Sequence, residues 1–198
     1  MGMDMNKGMG MNKGMNMNKG MDMNKGMETN KGISINKGMG NEMEVEVDIL
    51  SKNCIIECGI EFDGDMIDYS WECDQRVCDL TDPDNEKPIT GVLYELHPNG
   101  NIANYCYYEN GIKNGANVTF YENGDIESKG AMLYGTRHGL TVWHHENGSV
   151  KSRITYKYGY VASSKEWDDK GGLVEEINEP TEFAKKMIEK YDRIENER

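Results

Sequence analysis

The chain has 198 residues and carries 35 acidic against 22 basic side chains, which gives a formal net charge of −13. This balance argues against nucleic acid or an anionic membrane as the partner and allows a basic protein surface. No run approaches the roughly 20 apolar residues that cross a bilayer. Five cysteines without a recognisable export signal indicate reduced thiols, so we expect a cytoplasmic protein without direct membrane insertion.

The first forty residues are a six-residue tandem repeat in which Lys-Gly recurs from positions 7/8 to 37/38. A glycine in every unit costs a helix about 1 kcal/mol each time and weakens a strand as well. We therefore predict that residues 1–40 are a disordered low-complexity tail. A β-solenoid built from hexapeptide coils is the structured alternative.

An acidic segment follows at residues 41–87. Over residues 41–90, fifteen acidic side chains stand against three basic ones, a net charge of −12. Strict alternation from Met43 to Ile49 predicts a half-buried strand. Its solvent face is predicted to carry Glu44, Glu46 and Asp48. These acids are either a solvating surface or a site that recognises a basic partner.

The rest of the acidic segment is predicted to contain a β-hairpin and a loop. Asp63-Gly64 lies between two apolar runs, Ile55–Phe62 and Met66–Trp71, and a dipeptide of this kind favours a hairpin turn. Residues 74–87, which contain one proline and end directly before another, are predicted to form a loop.

Two cysteine pairs, Cys54-X3-Cys58 and Cys73-X4-Cys78, could present four thiolates to zinc, which binds such ligands tetrahedrally. The alternative is that these cysteines are small buried apolar residues. No nucleophile–base motif is present, so we predict no catalytic residues, no enzymatic activity and no cofactor. His144 is expected to be a partly buried sheet residue and not a ligand.

A 24-residue repeat occupies residues 88–178. Its turn glycines recur at intervals that alternate between 11 and 13 residues, which predicts consecutive antiparallel strands. Three sets are spaced by 24 residues: Gly91, Gly115 and Gly139; Gly100, Gly124, Gly148 and Gly172; and Gly111, Gly135 and Gly159. Asn often precedes the glycine, and Asn-Gly accepts the positive φ of a two-residue hairpin turn. The predicted fold class is mostly β, an elongated antiparallel meander of tandem hairpins.

Alternation along the predicted strands assigns side chains to two faces of one sheet. The apolar face is predicted to consist of Val92, Tyr94, Leu96, Ile102, Tyr108, Ala116, Val118, Phe120, Ile126, Met132, Leu140, Val142, His144, Val150, Tyr156 and Val174. The opposite face is predicted to carry Tyr105, Tyr121, Glu127, Lys129, Trp143, Lys151 and Arg153. Each large side chain exposed on a bare apolar face forgoes about 1.5 to 3 kcal/mol, so that face needs a cover.

Residues 179–198 supply one candidate cover, and a partner protein is the other. After Pro180 the apolar residues return at helical spacing, and proline is favourable at the start of a helix. They are Phe183, Met187, Ile188, Tyr191 and Ile194. We therefore predict an amphipathic C-terminal helix that packs on the sheet or caps it.

Two stretches of the repeat share one pattern of turn and glycine positions. They are Tyr121-Glu122-Asn123-Gly124 followed by Gly135 and Gly139, and His145-Glu146-Asn147-Gly148 followed by Gly159. This pattern resembles the MORN-repeat variant of YwqK-type antitoxin and immunity proteins, over residues 88–178. The resemblance implies an elongated hairpin array that binds other proteins, in bacterial members often a cognate toxin. The fourth unit departs from the pattern, with Ser163 where glycine is expected.

We therefore expect a protein-binding module, and specifically an antitoxin or immunity protein that neutralises a basic toxin. A structural or scaffold role without inhibition is the alternative. The residues expected to contact the partner are Glu44, Glu46, Asp48, Tyr105, Tyr121, Trp143 and Arg153. The sequence does not indicate the oligomeric state.

Overall fold

The computed structural model describes residues 33–37, 43–70, 76–82 and 84–197, and for residues 33–37, 43–46 and 70 it describes the backbone alone. Two helices lie in these ranges, α1 (Lys52–Cys58) and α2 (Glu182–Asn196). The strands are β1 (Ile33–Lys37), β2 (Met43–Val47), β3 (Ile60–Glu61), β4 (Ile67–Ser70), β5 (Arg76–Asp79), β6 (Lys87–Pro88), β7 (Gly91–Leu96), β8 (Ile102–Glu109), β9 (Ile112–Phe120), β10 (Ile126–Leu133), β11 (Thr136–His144), β12 (Val150–Lys157), β13 (Tyr160–Trp167) and β14 (Leu173–Ile177).

Nine of the described strands form one large sheet, in the order β14-β13-β12-β11-β10-β9-β8-β7-β3. From β7 to β14 each strand pairs antiparallel with its neighbour in sequence, so the predicted meander of tandem hairpins is confirmed. Strand β3 differs, because it pairs in parallel with β7. Strands β4, β5 and β6 form a separate sheet, and β1 pairs with β2.

The hairpins are closed by two kinds of turn that alternate along the repeat. In the first kind, the N–H of Gly124 donates to the carbonyl of Tyr121, and the N–H of Tyr121 donates to the carbonyl of Asp125, both at 2.9 Å. This is a three-residue loop in which a type I turn is followed by one residue at positive φ. Equivalent residues at positive φ are Gly100, Gly148 and Gly171. The two-residue turn predicted at these Asn-Gly positions is therefore wrong, and the fourth turn ends at Gly171 and not at Gly172.

The second kind of turn has two residues, both at positive φ, as a type I′ turn requires. Asn110 (φ 51°) and Gly111 (φ 75°) form the first of these turns, so the predicted Asn-Gly hairpin is confirmed there. In the next two repeats a tyrosine takes the position of the asparagine. Those turns are Tyr134–Gly135 and Tyr158–Gly159.

Each returning strand carries one extra residue, which reverses the alternation of its side chains. The extra residues are Ala103, Glu127, Lys151 and Val174, at the register shifts of the hairpins β7–β8, β9–β10, β11–β12 and β13–β14. As a result Tyr105 lies beside Tyr94 and joins the same core cluster. Its predicted position on the other face is wrong. Tyr108 and Met132 are likewise on the face opposite to the predicted one.

The acidic segment covers the first half of the sheet on both faces. On one side, Val47 and Ile55 pack on a cluster that contains Tyr94, Ile102, Tyr105, Ala116, Val118 and Ala131; we call this side the α1 face. On the other side, Ile67, Val77 and Ile89 pack on Leu93, Cys106 and Tyr108; we call this side the β5 face. The cover that the apolar face required is thus supplied over the first half of the sheet by residues 47–89, and the C-terminal helix packs on β13 farther along the sheet.

Within the acidic segment the local predictions need three corrections. The run Ile55–Phe62 begins in helix α1, where the Ser51 hydroxyl accepts the N–H of Cys54 at 3.2 Å and so caps the helix. Asp63-Gly64 links β3 to β4, which belong to different sheets, so no hairpin forms there. The predicted loop 74–87 contains strand β5 and the start of β6. The predicted strand at Met43 is confirmed as β2.

The C-terminal helix is confirmed as α2. The Thr181 hydroxyl caps it by accepting the N–H of Ala184 at 3.2 Å. The rings of Phe183 and Tyr191 lie 6.0 and 6.5 Å from the ring of Tyr160, so the helix packs on β13.

The predicted disordered tail is contradicted at five residues, because Ile33–Lys37 pairs antiparallel with β2 as strand β1. The pairing matches each of the five residues to one residue of Met43–Val47. The remainder of the tail lies outside the described residues.

Candidate protein-binding surface

The residues predicted to contact a partner do not form one surface. Tyr105 is only 1% exposed and belongs to the core. Tyr121 is half-buried, and its hydroxyl donates to the carbonyl of His144 at 2.7 Å. Asp48 is exposed, whereas the side chains of Glu44 and Glu46 lie outside the described atoms.

Tyr121 belongs to a row of ring side chains that link successive repeats. Its equivalents one repeat away are His97, whose Nε2 lies 2.9 Å from the carbonyl oxygen of Phe120, and His145, whose Nε2 lies 3.0 Å from that of Trp167. Each ring therefore ties one hairpin end to the next. The position requires a ring with a polar atom at its tip, which explains why His and Tyr alternate there. The 24-residue spacing of these rings in the repeat motif was the sequence signal for this role.

Strand pairing places Trp143 and Arg153 on opposite faces. Trp143 pairs with Ser128 and Ser152, in a row that continues on the β5 face. Arg153 pairs with Val142 and Lys165 on the α1 face, because the extra residue Lys151 reverses the alternation of β12. The prediction that Trp143 and Arg153 share a face is therefore wrong.

Trp143 instead shares its face with Arg137 and Tyr156. The guanidinium carbon of Arg137 lies 5.2 Å from the ring centroid of Trp143 and 5.9 Å from that of Tyr156. Contacts at these distances are cation–π interactions. All three side chains are half-buried, so their outer surfaces are accessible. We call these three residues the Trp143 platform.

Small polar residues support this platform from the neighbouring strands. Ser128 and Ser152, which flank Trp143, are 0% and 5% exposed, and Thr141 is 0% exposed. Ser128 shares a hydrogen bond of 2.7 Å with Thr119, whereas the Thr141 hydroxyl has no partner among the described residues. The sheet beneath the platform is therefore packed, and a packed support holds the large side chains in place.

Within the described ranges, the Trp143 platform has no cover of the kind that protects the first half of the sheet. The described elements that pack mainly on β10, β11 and β13 are β2 and α2. Val47 of β2 belongs to the α1-face cluster. Helix α2 meets Tyr160, which pairs with Lys157 and so lies opposite to Tyr156. Both elements therefore lie on the α1 face.

Among the residues that the structure describes, neither the cysteines nor the histidines assemble into a site. Cys54 and Cys58 lie on α1, Cys78 is buried in β5, and Cys73 lies outside the described residues. Within the part of the chain that the structure describes, no three His, Cys, Asp or Glu side chains could hold a metal ion. His144 is half-buried, as predicted, and burial followed by the charge of Lys129 lowers its pKa.

Residues 137–158, which include all three platform residues, match the family model described as MORN repeat variant. Over 73 residues the chain is 37% identical to Immunity protein YwqK of Bacillus subtilis (strain 168), and the match takes in 37% of the chain and 44% of the relative. The chain thus matches less than half the length of this curated relative. The resemblance predicted from the turn motifs is confirmed over these stretches. No solved structure matches.

The described helices are short relative to the roughly 20 residues of a membrane-spanning helix. Helix α2 has 15 residues and α1 has 7. None of the helices in the described ranges is long and apolar enough to span a membrane.

Proposed function

We propose that the chain binds another protein through the Trp143 platform and acts as an immunity protein that neutralises a toxin. Two observations support the proposal. The chain is similar to a relative named as an immunity protein, and the family match and the platform coincide at residues 137–158. It involves no catalytic step and no cofactor. A scaffold role for the repeats is the competing function.

The composition of the platform supports a binding role. Trp, Tyr and Arg are the residues most enriched among those that dominate binding energy at protein interfaces. Here one of each stands in a single contact group, on strands held in register by their neighbours. Such a group loses little conformational entropy on binding, because its side chains already restrain one another.

A growth-rescue experiment tests the proposal. The genes next to this one in its genome of origin are expressed singly in a laboratory bacterium, and those that arrest growth are co-expressed with the full chain. We expect the chain to restore growth against one neighbour and to co-elute with that protein in size-exclusion chromatography. Failure to restore growth against every toxic neighbour contradicts the proposal, and co-elution without rescue favours the scaffold function.

Two variants locate the surface. Trp143→Ala is expected to abolish rescue, whereas Trp167→Ala is the matched control. Trp167 is also half-buried, but it lies beside Lys165 in β13 on the α1-face side of the alternation. Circular dichroism melts of both variants verify that they fold. Equal loss of rescue in two folded variants would show that the Trp143 platform is not the specific binding surface.

A further inference from the structure

The large sheet ends on one side in a strand whose outer edge has no neighbour among the described residues. This strand, β14, pairs with β13 alone. All five of its residues are exposed, including Leu173 at 55%, Val174 at 67% and Ile177 at 38%. An open edge that carries apolar side chains offers backbone N–H and C=O groups to another strand.

Charge on β14 restricts which strand can pair there. Glu175 stands directly opposite Glu166 on the β5 face, and within the described residues neither carboxylate forms an ion pair. Like charges directly opposite each other in a sheet are destabilising. On the α1 face, by contrast, Glu176 forms an ion pair with Lys165 at 2.9 Å. Among the described residues no ion pair offsets this repulsion, so the edge needs a positive charge beside Glu175.

A second copy of this chain does not meet that need. Antiparallel pairing of two β14 strands about their central residue would place Glu175 opposite Glu175, with Glu166 next to each. Four carboxylates would then share one face of the joined sheet. Acidic residues on an edge are a known protection against this kind of self-association.

We propose that β14 binds an extended segment of a basic partner protein, which adds a tenth strand to the sheet and places a Lys or Arg side chain beside Glu166 and Glu175. The added strand continues the row Trp143, Ser152, Glu166, Glu175 on the β5 face, so the partner reaches the Trp143 platform across the same surface. The proposal rests on protein binding as the function and names the chemistry of the partner. It requires no particular toxin.

Binding of a defined peptide to the full chain tests this proposal. The probe is a fluorescein-labelled peptide of alternating Lys and Val, seven residues long. One control peptide has Glu in place of Lys. Two further control peptides carry N-methyl groups on alternate residues, one at the Lys positions and the other at the Val positions. Fluorescence anisotropy measures affinity, and hydrogen exchange of the full chain measures which amides are protected. We expect the Lys-Val peptide to bind and to slow hydrogen exchange within residues 173–177. The Glu peptide and one of the two N-methyl peptides are expected not to bind.

Variants of the chain complete the test. Glu175→Lys is expected to lower the affinity of the chain for the Lys-Val peptide about fivefold, because an attraction between exposed charges becomes a repulsion. Glu122→Lys, at the exposed turn before Gly124, is the matched charge reversal and should leave affinity unchanged.

Three outcomes overturn the proposal. One is equal binding of both N-methyl peptides, since side-chain attraction alone would then suffice. Another is protection outside β14. The third is a dimer of the unmodified chain in sedimentation that Val174→Pro dissociates, since a second copy would then occupy the edge. No toxin enters this experiment, so a failure here leaves the growth-rescue result standing, and the reverse also holds.

Discussion

The hydroxyl oxygen of Tyr105 lies 3.0 Å from the backbone nitrogen of Leu50 and accepts its N–H, across 55 positions of sequence. Tyr105 is the most voluminous of the fully buried side chains in the described ranges, and it belongs to the α1-face cluster. The bond therefore fixes the acidic segment to the repeat sheet at the point where the two are packed together. The segment acts as part of the fold, whatever its charge contributes besides.

Tyr105→Phe is expected to destabilise the protein by about 1–2 kcal/mol, because it leaves the N–H of Leu50 partly buried without an acceptor. Tyr107→Phe is the control. Tyr107 is 8% exposed in the same strand, and its hydroxyl is not among the buried polar atoms that lack a partner. Urea unfolding of the two variants gives the comparison, and equal losses would contradict a role for the bond.

Two threonines on the β5 face should respond in opposite ways to the loss of their hydroxyl groups. The hydroxyl of Thr141 is buried without a hydrogen-bond partner among the described residues, so Thr141→Val is expected to leave stability unchanged or to raise it by about 1 kcal/mol. Thr119 bonds to Ser128 at 2.7 Å, and Thr119→Val is expected to cost about 1–2 kcal/mol. Thermal unfolding measures both. A loss at Thr141 that matches the loss at Thr119 would be inconsistent with this packing.

The meander and helix α2 could be predicted from the sequence because their signals are local. Turn glycines with regular spacing define consecutive hairpins, and apolar residues at helical spacing after Pro180 define α2. The side-chain faces could not be predicted in full. One extra residue at each of Ala103, Glu127, Lys151 and Val174 reverses the alternation, and a bulge has no distinctive residue type here.

The Trp143 platform could be predicted only in part for the same reason. Alternation places Trp143 on the correct face because no extra residue separates it from Val142. It places Tyr156 on the wrong one because Lys151 precedes it in β12. Arg137 follows Lys113 by one repeat of 24 residues, but repeat spacing does not predict which rings its side chain meets, so its contact with both rings is a tertiary feature. The cover by residues 47–89 is also tertiary, and periodicity contains no information about it.

The turn at Gly124 is expected to tolerate a side chain poorly. Gly124 has φ of 90°, and Gly124→Val should cost about 1–3 kcal/mol in unfolding free energy. No atom of the described residues lies within 4 Å of an added Cβ at Gly124 or at Gly171, so we expect backbone strain to set the cost. Gly171→Val should cost less, because it joins the exposed strand β14 and not two half-buried strands. Equal costs at the two sites would show that β14 is as important for stability as β10.

Salt dependence should distinguish the acidic strand from the Trp143 platform as the site that meets a partner. If Glu44, Glu46 and Asp48 steer association, their replacement by amides lowers the association rate. Raising salt from 0.15 to 1 M also lowers that rate, because the screening length falls from about 8 to about 3 Å. Trp143→Ala should instead raise the dissociation rate, with a loss of about 2 kcal/mol or more. Stopped-flow and surface plasmon resonance with the partner that the growth-rescue experiment identifies separate the two. An unchanged association rate in the triple variant would assign the acids to solvation.

The buried thiol of Cys106 should make stability depend on pH in the alkaline range. Burial raises its pKa from 9.0 to about 12, against smaller opposing effects of Lys113 and Arg137. The folded chain therefore keeps the thiol protonated where the unfolded chain has lost the proton. Its contribution is complete below pH 9 and is lost as the pH rises toward 12.

Cys106→Ala isolates this contribution from that of other groups that ionise in the same range. Burial, the largest cause, also raises the pKa of Tyr105 and Tyr108, and it acts in both proteins; the charge of Cys106 adds a smaller upward shift to both, which the variant lacks. The advantage of the unmodified chain over the variant should shrink by about 2–3 kcal/mol between about pH 8 and pH 11. Urea unfolding at several pH values measures the difference. A constant difference would mean that the thiol ionises as readily in the folded chain, and hence that solvent reaches Cys106 between β8 and its cover.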